Sequence, residues 1–480
     1  MTHALTKVFD INEYLQEHAV FLATENNDNK QDKVLSFDLL VEKIRESLSE
    51  KYDDNKITDQ QLADRQELEH QGALGVAKAE NMLVSEIETL LREQNLLGVT
   101  YPDFYDSLAH GLFHEIYRFG TFHKWESYPD SPSAKIVGKE IWFKVDGSFK
   151  KQKEELKDDK QVEEIIRLLQ IGNSGFKVNE ANPQDEIVLE NGVRVKVLIP
   201  PLSQTPTIVF RRFVVKNFSF QKQAHYGTIP VEDISFYESL SNLYLNTIIA
   251  GEVESGKSTF LKTVYGTRDK DRVAILIESS PETFLKRDFP DRLVHELYTD
   301  KNGDIHAIIR DVLRIDHDYV IVQEVRGIEA EGAISATERG TRGTLITYHI
   351  TDPLNTSEQL AQHIVDAFPN RRMTSEMRRI SKQLDLGITM ETFENNQKKV
   401  TSVYEMCNDN EKDKAWINYL IKYDKQSDQW YYNPTISEQL KEKMSIYDQS
   451  LTDYVLNHLK KRSERYPITT NTYQEIHFKE

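Results

Sequence analysis

The feature that most constrains this chain is a glycine-containing loop between an apolar run and a helical run. The loop, Gly251-Glu-Val-Glu-Ser-Gly256-Lys257-Ser258, matches the pattern G-x-x-x-x-G-K-S/T. The apolar sequence LNTIIA precedes it and the helical sequence STFLKTVYG follows it, which is the context that a phosphate-binding loop requires. An ordinary glycine-containing turn is the alternative, and the flanking strand and helix argue against it.

Each part of this loop has a predicted role in nucleotide binding. Glycines let the backbone wrap closely around phosphate, and amide N–H groups at the helix N-terminus bind the anion. Lys257 is expected to reach the β and γ phosphates, and Ser258 to ligate Mg²⁺. The loop therefore predicts ATP and Mg²⁺ as cofactors. The predicted nucleotide-binding residues are Gly251, Glu252, Val253, Glu254, Ser255, Gly256, Lys257, Ser258 and Thr259.

Four segments of different sequence character divide the chain. Residues 1–97 have apolar positions at helical spacing and predict a helical N-terminal extension. Residues 98–218 have short strand-like runs with Asp-Gly and Asn-Gly turns, and predict a small α+β domain with an antiparallel sheet. Residues 219–405 alternate strand and helix runs and predict an α/β domain, a mostly parallel sheet with helices on both faces. Residues 406–480 form a C-terminal extension with a predicted strand, a hairpin and helices.

Composition narrows the classes of partner and compartment. The chain has 60 Lys and Arg against 78 Asp and Glu, a net charge of −18, which disfavours direct binding to nucleic acid. Its single cysteine, Cys407, excludes an internal disulfide and a cysteine-based zinc site. The N-terminus does not resemble a signal peptide, and the apolar runs are too short to span a membrane. We therefore expect a cytoplasmic protein with peripheral membrane association.

Acidic residues at predicted strand ends are the candidates for a role in hydrolysis. Glu324 follows the apolar run YVIVQ, at the edge where an open α/β sheet binds its ligands. A carboxylate there can orient the water that attacks the γ-phosphate. Glu278 ends the run RVAILIE, Glu282 follows shortly after it, and His349 lies at the end of TLITYHI. For each of these residues, an ordinary surface or structural side chain is the alternative.

The order of the motifs resembles the secretion or traffic ATPase superfamily. The motifs are the loop at 251–258 and then IESSPETF, LRIDHDYVIVQEVRGIEA and ERGTRGTLITYHITDP. The sequences DGSFKK, NEANPQDEIVLENGVRVKVLIPPLS and TIVFRRF also look like the sensor-like, PAS-like domain of the tight-adherence and conjugation branch. The resemblance covers roughly residues 150–405. The absence of a tetracysteine motif favours this branch over the type II secretion branch.

The resemblance implies a function that the residue pattern alone does not give. In this superfamily a hexameric ring binds ATP between an N-terminal domain and a RecA-like motor domain, whose closing and opening does mechanical work. We therefore expect an ATPase motor for transport or pilus assembly in a type IV secretion, conjugation or tight-adherence system. Its expected partners are further copies of itself and integral membrane platform proteins at the cytoplasmic face of the membrane.

The resemblance also implies catalytic roles for individual residues. Glu278 and Glu282 match the acidic box, Glu324 the Walker B glutamate, and His349 the histidine box. Four arginines match family positions: Arg326 follows the Walker B glutamate, Arg211 reaches toward phosphate from the N-terminal domain, and Arg310 and Arg314 lie beside the Walker B strand. An arginine suits this role because its planar guanidinium spreads charge over phosphate oxygens. A surface ion pair is the alternative for each of them.

Three departures from the family pattern leave other functions open. Gln323 replaces the usual glycine, Ser279 the second acid of the acidic box, and Thr341 a common histidine. A nucleotide-switched assembly scaffold with little turnover is therefore one alternative. A DNA translocase is another, supported by the basic cluster NRRMTSEMRRISK at 370–382 and opposed by the acidic total.

Overall fold

The computed structural model describes residues 35–52, 57–170, 175–189, 191–214, 217–279, 281–298, 312, 314–338, 340–409 and 411–478. The chain forms two compact units, Met1–Val214 and Val215–Glu480. Within the described ranges, no helix combines the length and the apolar character that crossing a bilayer requires.

Helices make up the first part of the first unit. They are α1 (Phe37–Lys51), α2 (Asp59–Leu74), α3 (Ala77–Glu93) and α4 (Leu108–Tyr117), followed by a 3₁₀ segment, Gly120–Ser127. Helix α2 begins at a capping box, in which the side chains of Thr58 and Gln61 each bond the other residue's backbone N–H. Apolar side chains at helical spacing, including Leu40, Leu83 and Phe113, form a shared core. The described part of residues 35–97 is thus mainly helical.

An antiparallel sheet makes up the rest of the first unit. Its six strands lie in the order β3-β2-β1-β6-β5-β4, and every neighbouring pair is antiparallel. Helix α5 (Asp159–Gln170) buries its apolar face in the core of this sheet. The predicted Asp146-Gly147 turn joins β2 to β3, with φ of 50° and 80° as a two-residue hairpin needs. The strands are β1 (Ser133–Val137), β2 (Glu140–Val145), β3 (Ser148–Glu155), β4 (Gln184–Val188), β5 (Arg194–Leu198) and β6 (Thr207–Arg211).

The second unit is built on a ten-stranded sheet. Its order is β15-β14-β13-β12-β7-β11-β10-β8-β9, with β16 paired to β14. Neighbours from β12 to β9 are parallel, and those from β12 to β15 are antiparallel. The strands are β7 (Thr247–Gly251), β8 (Ala274–Glu278), β9 (Val294–Tyr298), β10 (Tyr319–Val325), β11 (Leu345–Tyr348), β12 (Leu386–Thr392), β13 (Lys398–Asp409), β14 (Lys414–Asp424), β15 (Gln429–Tyr432) and β16 (Tyr473–Ile476).

Helices cover both faces of this sheet. Successive side chains of a strand point to opposite faces. On β7, Ile249 belongs to a core with residues of α7, α8, α13 and α14, whereas Ile248 belongs to a second core with residues of α10, α11 and α12. The helices are α6 (Phe220–His225), α7 (Ile234–Asn242), α8 (Lys257–Thr267), α9 (Leu285–Asp288), α10 (Glu329–Glu338), α11 (Thr356–Ala367), α12 (Met373–Gln383), α13 (Glu438–Tyr447) and α14 (Gln449–Arg465).

The C-terminal segment shares the sheet and core of the second unit. Strand β13 crosses the boundary that we expected between residues 405 and 406, and β14 and β15 continue the same sheet. Side chains of α13 and α14, such as Leu440 and Leu459, lie in the core that contains Ile249 of β7. Strands β13 to β16 therefore belong to the sheet that carries the glycine-containing loop, and helices α13 and α14 pack in its core.

Candidate functional site

The predicted site residues lie at the ends of four neighbouring parallel strands. These strands follow one another in the order β7-β11-β10-β8. The glycine-containing loop leaves β7, His349 follows β11, Glu324 lies in the last part of β10, and Glu278 ends β8. Because the strands are parallel, their carboxyl ends meet at the same edge of the sheet. Residues far apart in sequence are thus brought together there.

The loop backbone has the conformation that a phosphate-binding loop needs. Gly251, Glu254 and Gly256 have φ of 151°, 65° and 94°. A Cβ on Gly251 would lie 2.1 Å from the carbonyl oxygen of Met390, so this position accepts only glycine. Left-handed residues within a turn direct successive N–H groups into an anion-binding concavity. Gly256 is also the N-cap of α8, whose first N–H groups lack partners within the helix.

A cavity of about 360 Å³ lies beside this loop. Its volume falls in the range of small-molecule sites, about 300 to 1,000 Å³. Within the loop, the hydroxyl of Ser255 is buried and has no hydrogen-bond partner among the described residues. An unpaired buried hydroxyl of this kind fits a loop that is completed by a polar ligand. The cavity is lined by Gly251, Glu252, Val253, His349, Ile350, Thr351, Asp352, Asn355 and Gln359.

Lys257 is buried and hydrogen-bonded within the loop. Its Nζ donates to the carbonyl oxygens of Gly251, at 3.0 Å, and Glu252, at 2.6 Å. It also lies 3.2 Å from Nδ1 of His349. Burial lowers the pKa of Lys257 to about 8, although the nearby Glu324 carboxylate opposes the shift. The ammonium group is therefore poorly solvated, and an anionic ligand would stabilise it.

Glu324 is held in an unusual conformation by three neighbours. Its φ of 57° coincides with a register shift between β10 and β11, and such bulges re-aim side chains near active sites. Its N–H donates to Oγ1 of Thr347 at 2.6 Å. Oε1 accepts a hydrogen bond from Nε2 of His349, and Oε2 accepts one from Nη2 of Arg326 at 2.6 Å. Backbone and carboxylate are thus both fixed.

The hydrogen bonds to the Glu324 carboxylate determine its charge state. Burial raises the pKa of Glu324, but the hydrogen bonds from His349 and Arg326 outweigh it and the pKa is lowered. The carboxylate is therefore ionised at neutral pH. A His349 tautomer with its proton on Nε2 satisfies both neighbours, because Nδ1 then accepts from Lys257 and Nε2 donates to Glu324.

Gln323, which looked like a departure from the family pattern, takes part in the site. Its Nε2 donates to Oγ of Ser258 at 2.7 Å, and its Oε1 accepts from the hydroxyl of Thr347 at 3.2 Å. Sequence reasoning missed both Gln323 and Thr347. The available signal was an amide inside the apolar run YVIVQ, since a buried amide needs partners.

Glu278 is a buried carboxyl group with a raised pKa. Its side chain is 1% exposed, and burial raises its pKa to about 7. Donors in the following turn oppose that shift: the hydroxyl of Thr283 at 2.6 Å, the N–H of Thr283 at 3.1 Å and the N–H of Glu282 at 3.1 Å. Glu278 thus holds the turn that carries Glu282, next to β10 at Gln323.

The predicted arginines are placed differently. Arg326 contacts Glu324, as described above. Arg211 ends β6 in the first unit and is exposed, and Arg314 is exposed in the segment before β10. Arg310 lies outside the described residues. Within the second unit, the geometry thus places Arg326 at the site.

Arginines of the basic cluster at 370–382 form ion pairs with carboxylates. Arg371 and Arg379 both contact Glu331, at 2.5 and 2.6 Å. Arg378 contacts Asp413 at 2.5 Å. These pairings hold the cluster against its own unit, which weakens the case for a DNA-binding face.

Comparison with known proteins identifies the family. The family model described as "Type II/IV secretion system protein" matches residues 132–470, well over half of the chain. The chain belongs to this family, and so to the type II/IV secretion ATPase superfamily. The match extends beyond residues 150–405, where the motifs alone are recognisable, and it includes strands β13 to β15.

The individual relatives of this chain are distant from it. The chain is 25% identical over 231 residues to the type IV secretion system protein VirB11 of Brucella suis, covering 42% of this chain and 63% of the relative. It is 29% identical over 174 residues to an uncharacterized protein of Bacillus anthracis, covering 36% of each. The chain thus spans less than two thirds of the length of either protein.

Solved structures show a similarly distant relationship. The Legionella pneumophila ATPase DotB is 15% identical, with a TM-score of 0.43 over 72% of this chain and 87% of that one. The pilus retraction motor PilT with bound ADP is also 15% identical, with a TM-score of 0.43 over 73% of this chain and 95% of that one.

Proposed function

We propose that this secretion ATPase hydrolyses Mg-ATP and acts as a homohexameric motor for substrate transport or pilus assembly. The observation that carries the proposal is the arrangement at four adjacent strand ends. There a phosphate-binding loop lies beside an ionised carboxylate that is held in place on both oxygens. Phosphoryl transfer needs these two elements, because its catalysis consists mainly of positioning and charge stabilisation.

The loop residues bind the phosphates of the nucleotide. The N–H groups of the loop and of the α8 N-terminus bind the phosphates, and Lys257 donates to the β and γ phosphate oxygens. Ser258 would hold Mg²⁺, which neutralises charge on the phosphates when bound. The Ser258 hydroxyl fits this role because Gln323 donates to one lone pair of its oxygen and leaves the other available.

Glu324 acts in the hydrolysis step. Its carboxylate orients a water molecule toward the γ-phosphate and accepts a proton from it. As the new O–P bond forms, the bond from the γ phosphorus to the bridging oxygen breaks, and ADP and phosphate leave. Hydrogen bonds from His349 and Arg326 fix the direction of the carboxylate before the nucleotide arrives.

Lys257, His349 and Glu324 form a chain that links nucleotide binding to catalysis. Lys257 contacts His349, which in turn donates to Glu324. When Lys257 turns to the phosphates, His349 loses this partner while it stays bonded to Glu324. Occupancy of the loop therefore alters the surroundings of the carboxylate that orients the water.

The motor role assigns each unit a function. The second unit is the RecA-like motor domain, and the six-stranded sheet of the first unit belongs to a PAS-like sensor domain, which carries Arg211. Copies of the chain assemble into a ring on the cytoplasmic face of the membrane, where integral platform proteins bind it. The Brucella relative, named as a type IV secretion system protein, supports secretion or conjugation as the setting.

A nucleotide-switched scaffold is the second candidate. The feature that favours it is the departure of Gln323 and Ser279 from the family pattern, with Gln323 lying against Ser258 beside the loop. Such a protein would bind ATP, change its assembly state and hydrolyse ATP very slowly.

Activity and mass in solution separate the two candidates. ATP hydrolysis is measured with Mg²⁺ and with a chelator, and the particle mass is measured with and without nucleotide. A motor shows Mg²⁺-dependent multiple turnovers and a six-subunit mass. Tight ATP binding without turnover would favour the scaffold, and a monomer under all conditions would contradict both. Lys270→Ala, an exposed change away from the loop, serves as the control and should behave as wild type.

A further inference from the structure

Three histidines converge in the helical part of the first unit. His110 and His114 lie one turn apart on α4, and His123 lies on the 3₁₀ segment that follows. One ring nitrogen from each lies within 4.8 Å of the others. In the described residues, this is the one group of three or more His, Cys, Asp or Glu side chains with convergent ligand atoms. The chemistry of the second unit uses none of them.

The distances fit a small tetrahedral metal site. Nε2 of His110 lies 3.4 Å from Nε2 of His114. Two nitrogens bound to one tetrahedral zinc, with bonds of about 2.0 to 2.1 Å, lie about 3.3 to 3.4 Å apart. The rings of His114 and His123 are stacked with centroids 3.7 Å apart. Because the lone pair of an imidazole lies in the plane of its ring, these two rings must turn relative to each other to bind the same ion.

Glu80 provides an acidic neighbour for this group. Its Oε1 lies 3.1 Å from Nε2 of His110, and its Oε2 lies 3.5 Å from Nη1 of Arg118. Arg118 disfavours a cation in this region, but its charge is balanced by Glu80. A carboxylate is a common fourth ligand of zinc beside imidazoles.

Hydrogen bonding alone leaves the histidines unsatisfied. Nδ1 of His110 and Nδ1 of His114 are buried and have no hydrogen-bond partner among the described residues. Nε2 of His110 faces both another imidazole nitrogen and a carboxylate oxygen, and one N–H cannot serve both. A cation bound to the Nε2 atoms removes this conflict, and each Nδ1 then carries the ring proton.

A small cavity lies beside two of these histidines. It has a volume of about 20 Å³ and is lined by His114 and His123 among others, whereas His110 and Glu80 do not line it. A site for one water molecule or ion needs about 10 to 15 Å³.

We propose that His110, His114 and His123 bind one Zn²⁺, with Glu80 as the fourth ligand. The ion ties α3, α4 and the 3₁₀ segment together, because each of these elements contributes at least one ligand. It is a structural site, and it does not depend on the ATPase activity of the second unit. The sequence signal is the spacing His-x-x-x-His in HGLFH, which places both rings on one face of a helix.

Metal stoichiometry of the full chain, without a histidine tag, tests this proposal. After removal of metal with a chelator, the protein is equilibrated in a micromolar zinc buffer and analysed by mass spectrometry. We expect one Zn²⁺ per chain and a rise of about 5 to 10 °C in the unfolding temperature of the first unit. Co²⁺ should give the strong visible absorption of a tetrahedral site.

Two variants and a control make the test specific. His123→Gln and Glu80→Gln should lose the stoichiometric metal and the thermal shift, whereas His225→Gln, at an exposed position in the second unit, should keep both. Far-ultraviolet circular dichroism and ATP binding establish that each variant is folded. The proposal is overturned if the wild type binds well below one zinc per chain, if Co²⁺ gives only weak octahedral absorption, or if folded His123→Gln binds zinc as the wild type does.

Discussion

The hydroxyl of Thr347 holds the Glu324 end of β10 in place, and its removal tests the proposed role of Glu324. Thr347 accepts a hydrogen bond from the N–H of Glu324 and donates one to Gln323, at 2.6 and 3.2 Å. Among the described residues, the Thr347 hydroxyl bonds Glu324 and Gln323 and makes no hydrogen bond to the glycine-containing loop. Thr347→Val keeps the volume of the side chain and removes both bonds.

The structure sets the size of the effect. Each buried group left without a partner costs about 1 to 3 kcal/mol. The left-handed φ of Glu324, 57°, costs about 1 to 2 kcal/mol for a residue that is not glycine. The hydrogen bond from the N–H of Glu324 to Thr347 is therefore comparable in energy to the backbone strain at Glu324. A shift of the carboxylate by about 1 Å can cost about 100-fold in rate, so we expect kcat to fall about 10- to 100-fold while ATP affinity is unchanged.

Steady-state ATPase assays measure kcat, ATP-binding titrations measure ATP affinity, and urea unfolding measures the stability of the variant. The expected loss in free energy of unfolding is about 1 to 3 kcal/mol. Thr344→Val is the matched control, because Thr344 is equally buried and its hydroxyl has no hydrogen-bond partner among the described residues. The reasoning is refuted if Thr347→Val hydrolyses ATP as fast as the wild type, or if Thr344→Val loses as much.

Three further predictions test other parts of the structure. Gly251→Ala should abolish ATP binding in a fluorescent-analogue titration, because its Cβ would lie 2.1 Å from the Met390 carbonyl oxygen. For Glu278, the native carboxyl keeps its proton to about pH 7 while the unfolded one releases it near 4.5. Wild-type stability in urea should therefore fall between about pH 4.5 and pH 7, by up to about 3 kcal/mol relative to Glu278→Gln. Glu331→Ala removes a buried carboxylate that Arg371 and Arg379 share, although Arg371 keeps Glu376 and Arg379 keeps Glu338 and Glu376. It should cost about 1 to 3 kcal/mol in urea unfolding, against less than about 1 kcal/mol for the exposed Asp413→Ala.

The sequence was sufficient to place the main parts of the site. The glycine-containing loop could be predicted because its motif lies between a strand and a helix. Glu278, Glu324 and His349 could be placed beside it because each follows an apolar run, and parallel strands end at a common edge. Local sequence patterns and the common edge of parallel strands are enough to place these residues.

The remaining features depend on contacts that local patterns do not contain. The bonds of Gln323 and Thr347 depend on the register of β10 against β11, which shifts between Val322 and Val325. Such a shift has no periodic signal in the sequence. Strand β13 continues the sheet beyond residue 405 because residues 406–409 pair with β14, a pairing that the strand's own sequence does not specify.

Separate measurement of ATP binding and hydrolysis, in the wild type, Lys257→Ala and Glu324→Gln, tests the central claim most directly. If four strand ends form a hydrolytic site, Glu324→Gln binds ATP as the wild type does but loses at least about 100-fold in turnover. Lys257→Ala should lose both, because its ammonium group contacts the phosphates. Near wild-type turnover in folded Glu324→Gln would contradict the assignment of Glu324 and the account of the site built on it.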